Sequence, residues 1–140
     1  MASTEICTNE EERSRYCFPL IVGALWNIFF GSVGLFNLPL HVDLFYHTVT
    51  PEAGIIANTE FWFAVAVAGI GYGVVGFASH RYRFFVSLGA LGKIAFFLFV
   101  SYLWLGGVTT NFAAVIAFGD LLWGIYFMIF IFRTREYGYF

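Results

Sequence analysis

The sequence predicts an all-α, polytopic membrane protein in which four transmembrane helices form one bundle. Composition is the first reason, because 60% of the 140 residues are hydrophobic, 22% are aromatic and only 11% are charged. Soluble domains carry roughly 25% charged residues, so this chain has too few to cover an apolar core with a polar surface. Four long apolar segments and a one-sided distribution of arginines are the other two reasons.

Each of the four segments is long enough to cross a bilayer. A hydrocarbon core of about 30 Å needs roughly 20 apolar residues in a helix. The segments that qualify are 18–38, 61–79, 84–106 and 112–132, with a longer outer connection at 39–60. Backbone groups in lipid must pair internally, so helices are favoured. The unbroken apolar run 94–100 also lacks the alternation that a barrel strand requires.

The arginines predict the orientation of the bundle. All six flank the segments on one side: Arg13, Arg15, Arg81, Arg83, Arg133 and Arg135. Because cytoplasmic loops are enriched in Lys and Arg, we expect both termini in the cytoplasm and the protein in the cell inner (plasma) membrane. Residues 16–133 then form the membrane domain, between cytoplasmic polar tails at 1–15 and 134–140. On this side of the membrane, Cys7 and Cys17 are expected to be reduced thiols.

Four polar side chains are predicted to lie at nearly one depth in the membrane. At 1.5 Å per residue from the cytoplasmic end, Asn27 and Lys93 lie about 13 Å deep, Tyr72 about 10 Å deep and Asp120 about 18 Å deep. A charge at such depth costs roughly 2.5–3.5 kcal/mol, so we expect Lys93 and Asp120 to face protein and to pair. One interpretation is a structural ion pair supported by hydrogen bonds from Asn27 and Tyr72. The other is a titratable centre that exchanges protons or binds the polar head group of a lipophilic ligand.

Small residues predict where helices approach one another closely. Their spacings of three and four place them on one helix face, in the second segment (Ala66, Gly69, Gly73 and Gly76) and in the third (Gly89 and Gly92). We expect internal packing rather than a dimer interface, because the same faces must also serve the four-helix bundle.

A short internal repeat relates the first segment to the third. Residues 23–28, Gly-Ala-Leu-Trp-Asn-Ile, are echoed by residues 89–94, Gly-Ala-Leu-Gly-Lys-Ile, which aligns Asn27 with Lys93. One interpretation is the duplication of a helical hairpin into two hairpins of equal orientation. The alternative is a chance match between low-complexity apolar sequences.

The outer connection carries weak candidates for metal ligands. His41, Asp43 and His47 are of the residue types that bind zinc or iron, and they would share one side of an extended chain. The apolar residues among them instead indicate an amphipathic piece on the membrane surface. We favour the second interpretation and predict no metal.

Composition and motifs exclude several function classes. A net charge of −2 with seven basic residues does not suit a nucleic-acid surface, and two cysteines cannot form a four-cysteine metal site. The sequence contains no nucleophile elbow, zinc-protease, nucleotide-binding or CxxC motif. An enzymatic role therefore has no support from motifs.

Several short motifs resemble those of small bacterial four-helix membrane proteins that are DoxX-like in size and layout. They cover residues from about 20 to 132 and comprise Leu25-Trp26-Asn27-Ile28 with Gly31, Gly71-Tyr72-Gly73, Leu88-Gly89-Ala90-Leu91-Gly92-Lys93 and Gly119-Asp120-Leu121-Leu122. The resemblance implies the four-helix layout and draws attention to the polar layer. DoxX-like proteins have been linked to quinone and thiol redox chemistry as accessory subunits, but no residue here carries that activity over.

The sequence therefore predicts a non-enzymatic structural or accessory subunit with a buried Lys-Asp polar layer. One alternative is a small proton-coupled transporter that works as an oligomer. The other is a lipid- or quinone-binding accessory protein of a membrane oxidoreductase. Membrane lipid is the expected partner, with a homo-oligomer or a larger membrane complex as the expected assembly. No cofactor is predicted, and bound lipid or quinone is the ligand that the last alternative would take.

Overall fold

The computed structural model of the protein describes residues 16–78 and 83–135. They form five α-helices: α1 (Phe18–Phe36), α2 (Leu38–Phe45), α3 (Thr59–Ala78), α4 (Arg83–Leu105) and α5 (Asn111–Arg133). Four of these, α1, α3, α4 and α5, are long and apolar enough to cross a membrane. Their ends lie within two residues of the predicted ones, so the four-helix prediction is confirmed. The tails 1–15 and 136–140 and the inner connection 79–82 lie outside the described residues.

Polar and turn-forming residues end and begin these helices. Asn37 closes α1, where its backbone N–H donates to the Val33 carbonyl, and its side chain accepts a hydrogen bond from Leu40 N at 3.3 Å to start α2. Gly107 follows α4 with a φ of 73°, a conformation that glycine adopts without strain. The Thr110 hydroxyl then accepts from Ala113 N and begins α5. The chain therefore reverses direction sharply at the outer end.

The outer connection does not stay extended. It forms helix α2 and a short 3-10 turn at Ala53–Ile55, and Tyr46 pairs with Thr109 in an isolated antiparallel bridge. We call residues 37–58 together with 106–110 the outer cap. Its buried side chains include His41 and Phe45, which pack onto the outer end of the bundle. The predicted amphipathic piece is thus helix α2, with Leu40 and Leu44 exposed on its other side.

The four long helices form two hairpins. The first hairpin consists of α1 and α3, the second of α4 and α5, and within each the two helices pack closely along their length. Large side chains fill most of the space between the hairpins, where the Trp26 ring lies over Gly119 and the Trp123 ring over Gly23. Backbones therefore approach closely within a hairpin, and aromatic rings separate the two hairpins.

The two hairpins repeat the same internal contacts. A Cβ atom added to Gly69 would meet Ala24 O, Asn27 Cβ and Ile28 Cγ1; one added to Gly124 would meet Ala90 O, Lys93 Cβ and Ile94 Cγ1. The α4 residues follow their α1 counterparts by 66 positions, and Gly124 follows Gly69 by 55. This agreement atom by atom supports the predicted duplication over a chance match.

Burial follows the same offsets. Five of the six buried residues of α1 have a buried counterpart 66 positions later in α4: Leu20, Gly23, Ala24, Asn27 and Gly34 correspond to Val86, Gly89, Ala90, Lys93 and Val100. Tyr72 and Phe127, which are 55 positions apart, are both buried and contact each other with ring centroids 4.8 Å apart. The hairpins are therefore related by a pseudo-two-fold axis along the bundle, and counterparts meet on it.

The inner end of the bundle departs from the sequence prediction in two ways. Thr134, which was assigned to the tail, is buried and accepts a hydrogen bond from the Arg83 guanidinium at 2.8 Å; Arg83 also donates to the Ile131 carbonyl. The segment bounds place this arginine in the connection before the third segment, but it begins α4, is itself buried and contacts the last turn of α5, where a helix dipole favours a cation. The bundle therefore extends past position 133.

Cys17 is disulfide-bonded, so the prediction of a reduced thiol there is wrong. The only other cysteine of the sequence, Cys7, lies outside the described residues. Disulfides persist in oxidising compartments and are rare in the cytosol. This bond and the arginine pattern thus indicate opposite sides of the membrane for the amino-terminal end, and the orientation stays a prediction.

Candidate functional site

A chain of polar contacts crosses all four long helices near the middle of the bundle. The Asn27 side-chain N–H donates to the Val65 carbonyl of α3 at 3.4 Å, and its Oδ1 accepts from Lys93 Nζ of α4 at 2.7 Å. Lys93 also forms a salt bridge with Asp120 of α5. The Trp26 indole, back on α1, lies beside the Asp120 carboxylate. We call these five groups the polar chain.

The charged groups of the polar chain are shielded from lipid. The side chains of Lys93 and Asp120 are 6% and 14% exposed. Of the three Lys93 N–H donors, two have oxygen partners, and the Tyr72 ring lies 6.0 Å from the Nζ atom. The structure therefore brings together the four side chains that the sequence placed at one depth. Tyr72 takes part through its ring face.

Helix packing explains why the lysine reaches both partners. Gly89 lies on α4 one turn before Lys93, and a Cβ atom there would overlap the Tyr72 ring and hydroxyl. A Cβ on Gly124 would lie 3.5 Å from Lys93 Cβ. The absence of side chains at these glycines lets Tyr72 lie flat against α4 and lets α5 approach the stem of the lysine.

The small residues predicted on α3 face α1 at graded distances. A Cβ atom on Gly31 of α1 would lie 2.6 Å from Ala66 N, one on Gly69 would lie 2.9 Å from Ala24 O, and one on Gly76 would lie 3.3 Å from Cys17 O. Gly73 is looser, since its Cβ atom would be 3.7 Å from Ala24 Cβ. The predicted stripe thus packs inside the first hairpin.

Gly92 is the one predicted packing residue that the structure places elsewhere. It is exposed, and a Cβ atom there would meet nothing within 4 Å in the described part of the chain. At 100° per residue it lies about 100° from Lys93, off the face that α4 turns to its neighbours. The prediction that Gly92 packs as Gly89 does is therefore wrong for the described bundle.

The weak metal candidates do not converge. Helix α2 carries His41 and Asp43, about 200° apart around its axis. His41 is buried against the bundle, whereas Asp43 and His47 are exposed. Among residues 16–78 and 83–135, no three His, Cys, Asp or Glu side chains are arranged to hold a metal ion. The shared side that an extended chain would give these residues is lost because the segment is helical.

Sequence reasoning missed the role of two tryptophans. The repeat and the DoxX-like motif both contain Trp26, yet neither predicts that its indole lies over Gly119 and beside the Asp120 carboxylate. Tryptophan near the end of a membrane helix is typical of an interfacial anchor, but Trp62 is 2% exposed, covers Gly34, and donates from its indole N–H to the Ile56 carbonyl at 2.8 Å. The position of Trp26 one residue before Asn27 was the available signal, because it sets the indole beside the polar layer.

The outer cap contains a second group of buried polar side chains. His41 lies between the rings of Phe45 and Trp62, with centroids 4.1 and 4.0 Å away. Both His41 ring nitrogens and the hydroxyls of Tyr46 and Thr109 are buried and lack a hydrogen-bond partner among the described residues. Burial lowers the pKa of His41 from 6.5 to about 4 and raises the pKa of Tyr46, so both are neutral at pH 7.

We expect acid to loosen the outer cap through His41. Because its folded pKa lies below its ordinary value, the stabilisation is complete above pH 6.5 and is lost as the pH falls towards 4, by about 3 kcal/mol at most. The protection factors of residues 38–58 in hydrogen exchange, corrected for the intrinsic exchange rate at each pH, should therefore fall between pH 6.5 and 4.5. His41→Phe should abolish this fall, while the exposed His47→Gln should retain it. An unchanged fall in His41→Phe would assign the effect to another group.

Comparison of the chain with protein-family models, with curated proteins and with solved structures finds no match. The resemblance to DoxX-like proteins therefore stays a prediction.

Proposed function

We propose that the protein is a small, non-enzymatic integral membrane protein that acts as a structural or accessory subunit, and that its polar chain holds the two hairpins together. The contacts within the polar chain carry this proposal. Lys93 reaches from the second hairpin to Asn27 of the first, and Trp26 reaches from the first hairpin to Asp120 of the second. Both charged groups thus contact the opposite hairpin as well as each other.

The pseudo-two-fold relation indicates what the charges contribute. Asn27 and Val65 occupy in the first hairpin the positions that Lys93 and Asp120 occupy in the second, at offsets of 66 and 55. The first hairpin makes its close internal contacts with neutral groups there. A charge pair is therefore not needed to pack α4 on α5; the Lys93 and Asp120 side chains fill space where the two hairpins meet, which neutral side chains of similar size can also fill.

Transport is the second candidate, and the geometry favours it less. A proton or solute pathway needs groups that are open to water or to a channel, whereas Lys93 and Asp120 are shielded and paired with one another. A pocket of about 360 Å³ does open in the described part, but its lining residues, which include Glu52, Tyr102 and Val108, lie at the outer end. The resemblance to DoxX-like proteins supports an accessory role beside lipid or quinone.

The proposed function is tested by removing the charges as a pair. Lys93→Met with Asp120→Asn, expressed in a host where deletion of the gene gives a measurable defect, should restore the wild-type phenotype, because the neutral pair still fills the space between hairpins. Accumulation in the membrane and the melting temperature are measured beside it. A double variant that accumulates and melts like the wild type but fails to restore the phenotype would show that the charges are functional and contradict the structural role.

Liposome flux and native mass spectrometry address the two alternatives. Purified protein in liposomes should show no pH-dependent flux of protons or of candidate solutes. Native mass spectrometry of the detergent-solubilised protein should show no retained quinone. Proton flux that Asp120→Asn removes would favour the transporter instead, and a stoichiometric quinone would favour the oxidoreductase accessory.

A further inference from the structure

We infer that the polar chain consists of two equivalent sites, one in each hairpin, and that the first hairpin carries an uncharged copy that can accept the ion pair. This inference rests on the proposed function, because it treats the Lys93–Asp120 ion pair as a structural contact that can be transferred to equivalent positions. The copy is formed by Asn27 of α1 and Val65 of α3. In the structure it takes an ammonium ligand, which is the Lys93 group from across the axis.

The two sites correspond in position. Asn27 donates its N–H to the backbone carbonyl of Val65, and Lys93 donates to the side-chain carboxylate of Asp120, which follows Val65 by 55 positions. A residue on α1 thus reaches α3 at the level where its counterpart on α4 reaches α5. Ala24 and Ile28 flank Asn27 against Gly69 in the same way that Ala90 and Ile94 flank Lys93 against Gly124.

Counterparts also meet on the axis itself. Lys93 Nζ lies 2.7 Å from Asn27 Oδ1, and the Tyr72 ring contacts the Phe127 ring. A two-fold axis brings each position next to its own counterpart only where the residues lie at the axis, so these two contacts locate it. The ammonium of Lys93 is therefore shared by the two sites. A second lysine at position 27 would repel Lys93 at this point.

The sites differ in one further position. Trp26, which lies beside Asp120 and over Gly119, has Gly92 as its counterpart 66 positions later. Gly92 has open space around it, so the indole has no equivalent beside Val65. A carboxylate moved to position 65 would therefore keep an ammonium partner and lose an indole partner.

The test transposes the ion pair within the full-length chain. Asn27→Lys, Val65→Asp, Lys93→Asn and Asp120→Val together keep the composition of the two sites and move both charges to the first hairpin. We expect at least about half of the wild-type yield of folded protein in the membrane, because each charge keeps its partner. The missing indole contact should lower the melting temperature by only a few degrees.

A register control makes the test specific. The control carries the same changes except that the carboxylate is placed at Ala64, one position earlier, with Val65 retained; Ala64 is exposed, so its side chain faces lipid. We expect at least about tenfold less folded protein, because both charges then lack partners. The inference is overturned if the transposed chain and this control accumulate folded protein in the membrane to the same measurable level.

A third variant keeps the test informative if both chains accumulate poorly. Asn27→Lys alone should fold less well than Asn27→Lys with Val65→Asp, since only the single variant adds a buried ammonium group without a carboxylate partner. The reverse order would overturn the inference. These readouts concern folding, so a failure here is distinct from a failure of the neutral Lys93→Met, Asp120→Asn pair to restore the phenotype.

Discussion

Asp120→Asn is expected to destabilise the bundle by about 3–5 kcal/mol, because it leaves the Lys93 ammonium buried without a counter-charge. Asn27 would then be the principal oxygen partner of that charge, at 2.7 Å. Lys93→Met should cost a similar amount by leaving the Asp120 carboxylate with only the Trp26 indole. The measurement is the free energy of unfolding in mixed detergent micelles, followed by tryptophan fluorescence as the denaturing detergent is increased.

Combining the two changes should recover most of the loss. A neutral Met and Asn pair fills a similar volume and leaves no buried charge, so the double variant should lie within about 1 kcal/mol of the wild type. Glu60→Gln, an equivalent change at an exposed carboxylate at the start of α3, is the matched control and should have little effect. If the two single losses simply add in the double variant, Lys93 and Asp120 do not act as a pair.

The pairing of Lys93 with Asp120 could be predicted because charge in a membrane has few alternatives. A charged side chain in an apolar segment must contact an opposite charge, water or a lipid headgroup. Lys93 and Asp120 lie in neighbouring segments at depths that differ by only about 5 Å, so they are expected to contact each other. Composition and segment length predicted the four helices for a similar reason, since lipid leaves the backbone no other spanning conformation. These predictions depend on where a residue lies along the chain and on whether the chain is surrounded by lipid. The residue number gives the first, and the apolar composition indicates the second.

The positions of other side chains could not be predicted, because they depend on which face of its helix each residue lies on and on contacts between distant segments. Trp62 is of a residue type that is common at membrane interfaces, but its ring packs against Gly34, which has no side chain to keep it out. Gly92 has the spacing of a packing residue but lies off the contact face of α4. Arg83 has the sequence context of a loop charge, yet the carbonyls at the end of α5 provide a buried partner. In each case a residue from another helix decides the outcome.

The repeat shows how a weak sequence signal becomes informative once distances are known. Six matching positions in apolar sequence have little statistical weight. The same positions carry weight in the structure because Ala24, Asn27 and Ile28 place the same atoms on Gly69 that their counterparts place on Gly124. Little sequence identity remains between α3 and α5, so a sequence comparison of those two helices could not have revealed the second half of the relation.

Gly31→Ala should destabilise the first hairpin by about 1–3 kcal/mol, and Gly31→Val by more. A Cβ atom at position 31 would lie 2.6 Å from Ala66 N and 2.8 Å from Ala66 Cα. These are backbone atoms of α3, so relief requires a shift of the whole helix. Such a shift would also move Val65, whose carbonyl accepts from Asn27. We therefore expect the loss in unfolding free energy to be accompanied by a weaker hydrogen bond from Lys93 to Asn27.

Gly73→Ala is the matched control, because it adds the same methyl group on the same face of the hairpin. Its Cβ atom would lie 3.7 Å from Ala24 Cβ, an ordinary van der Waals contact, and alanine is the better helix former by up to about 1 kcal/mol. This variant should thus be as stable as the wild type or slightly more so in the same detergent unfolding experiment. Equal effects of the two alanines would mean that α1 and α3 are not in backbone contact at Gly31, and the close packing assigned to the first hairpin would be wrong.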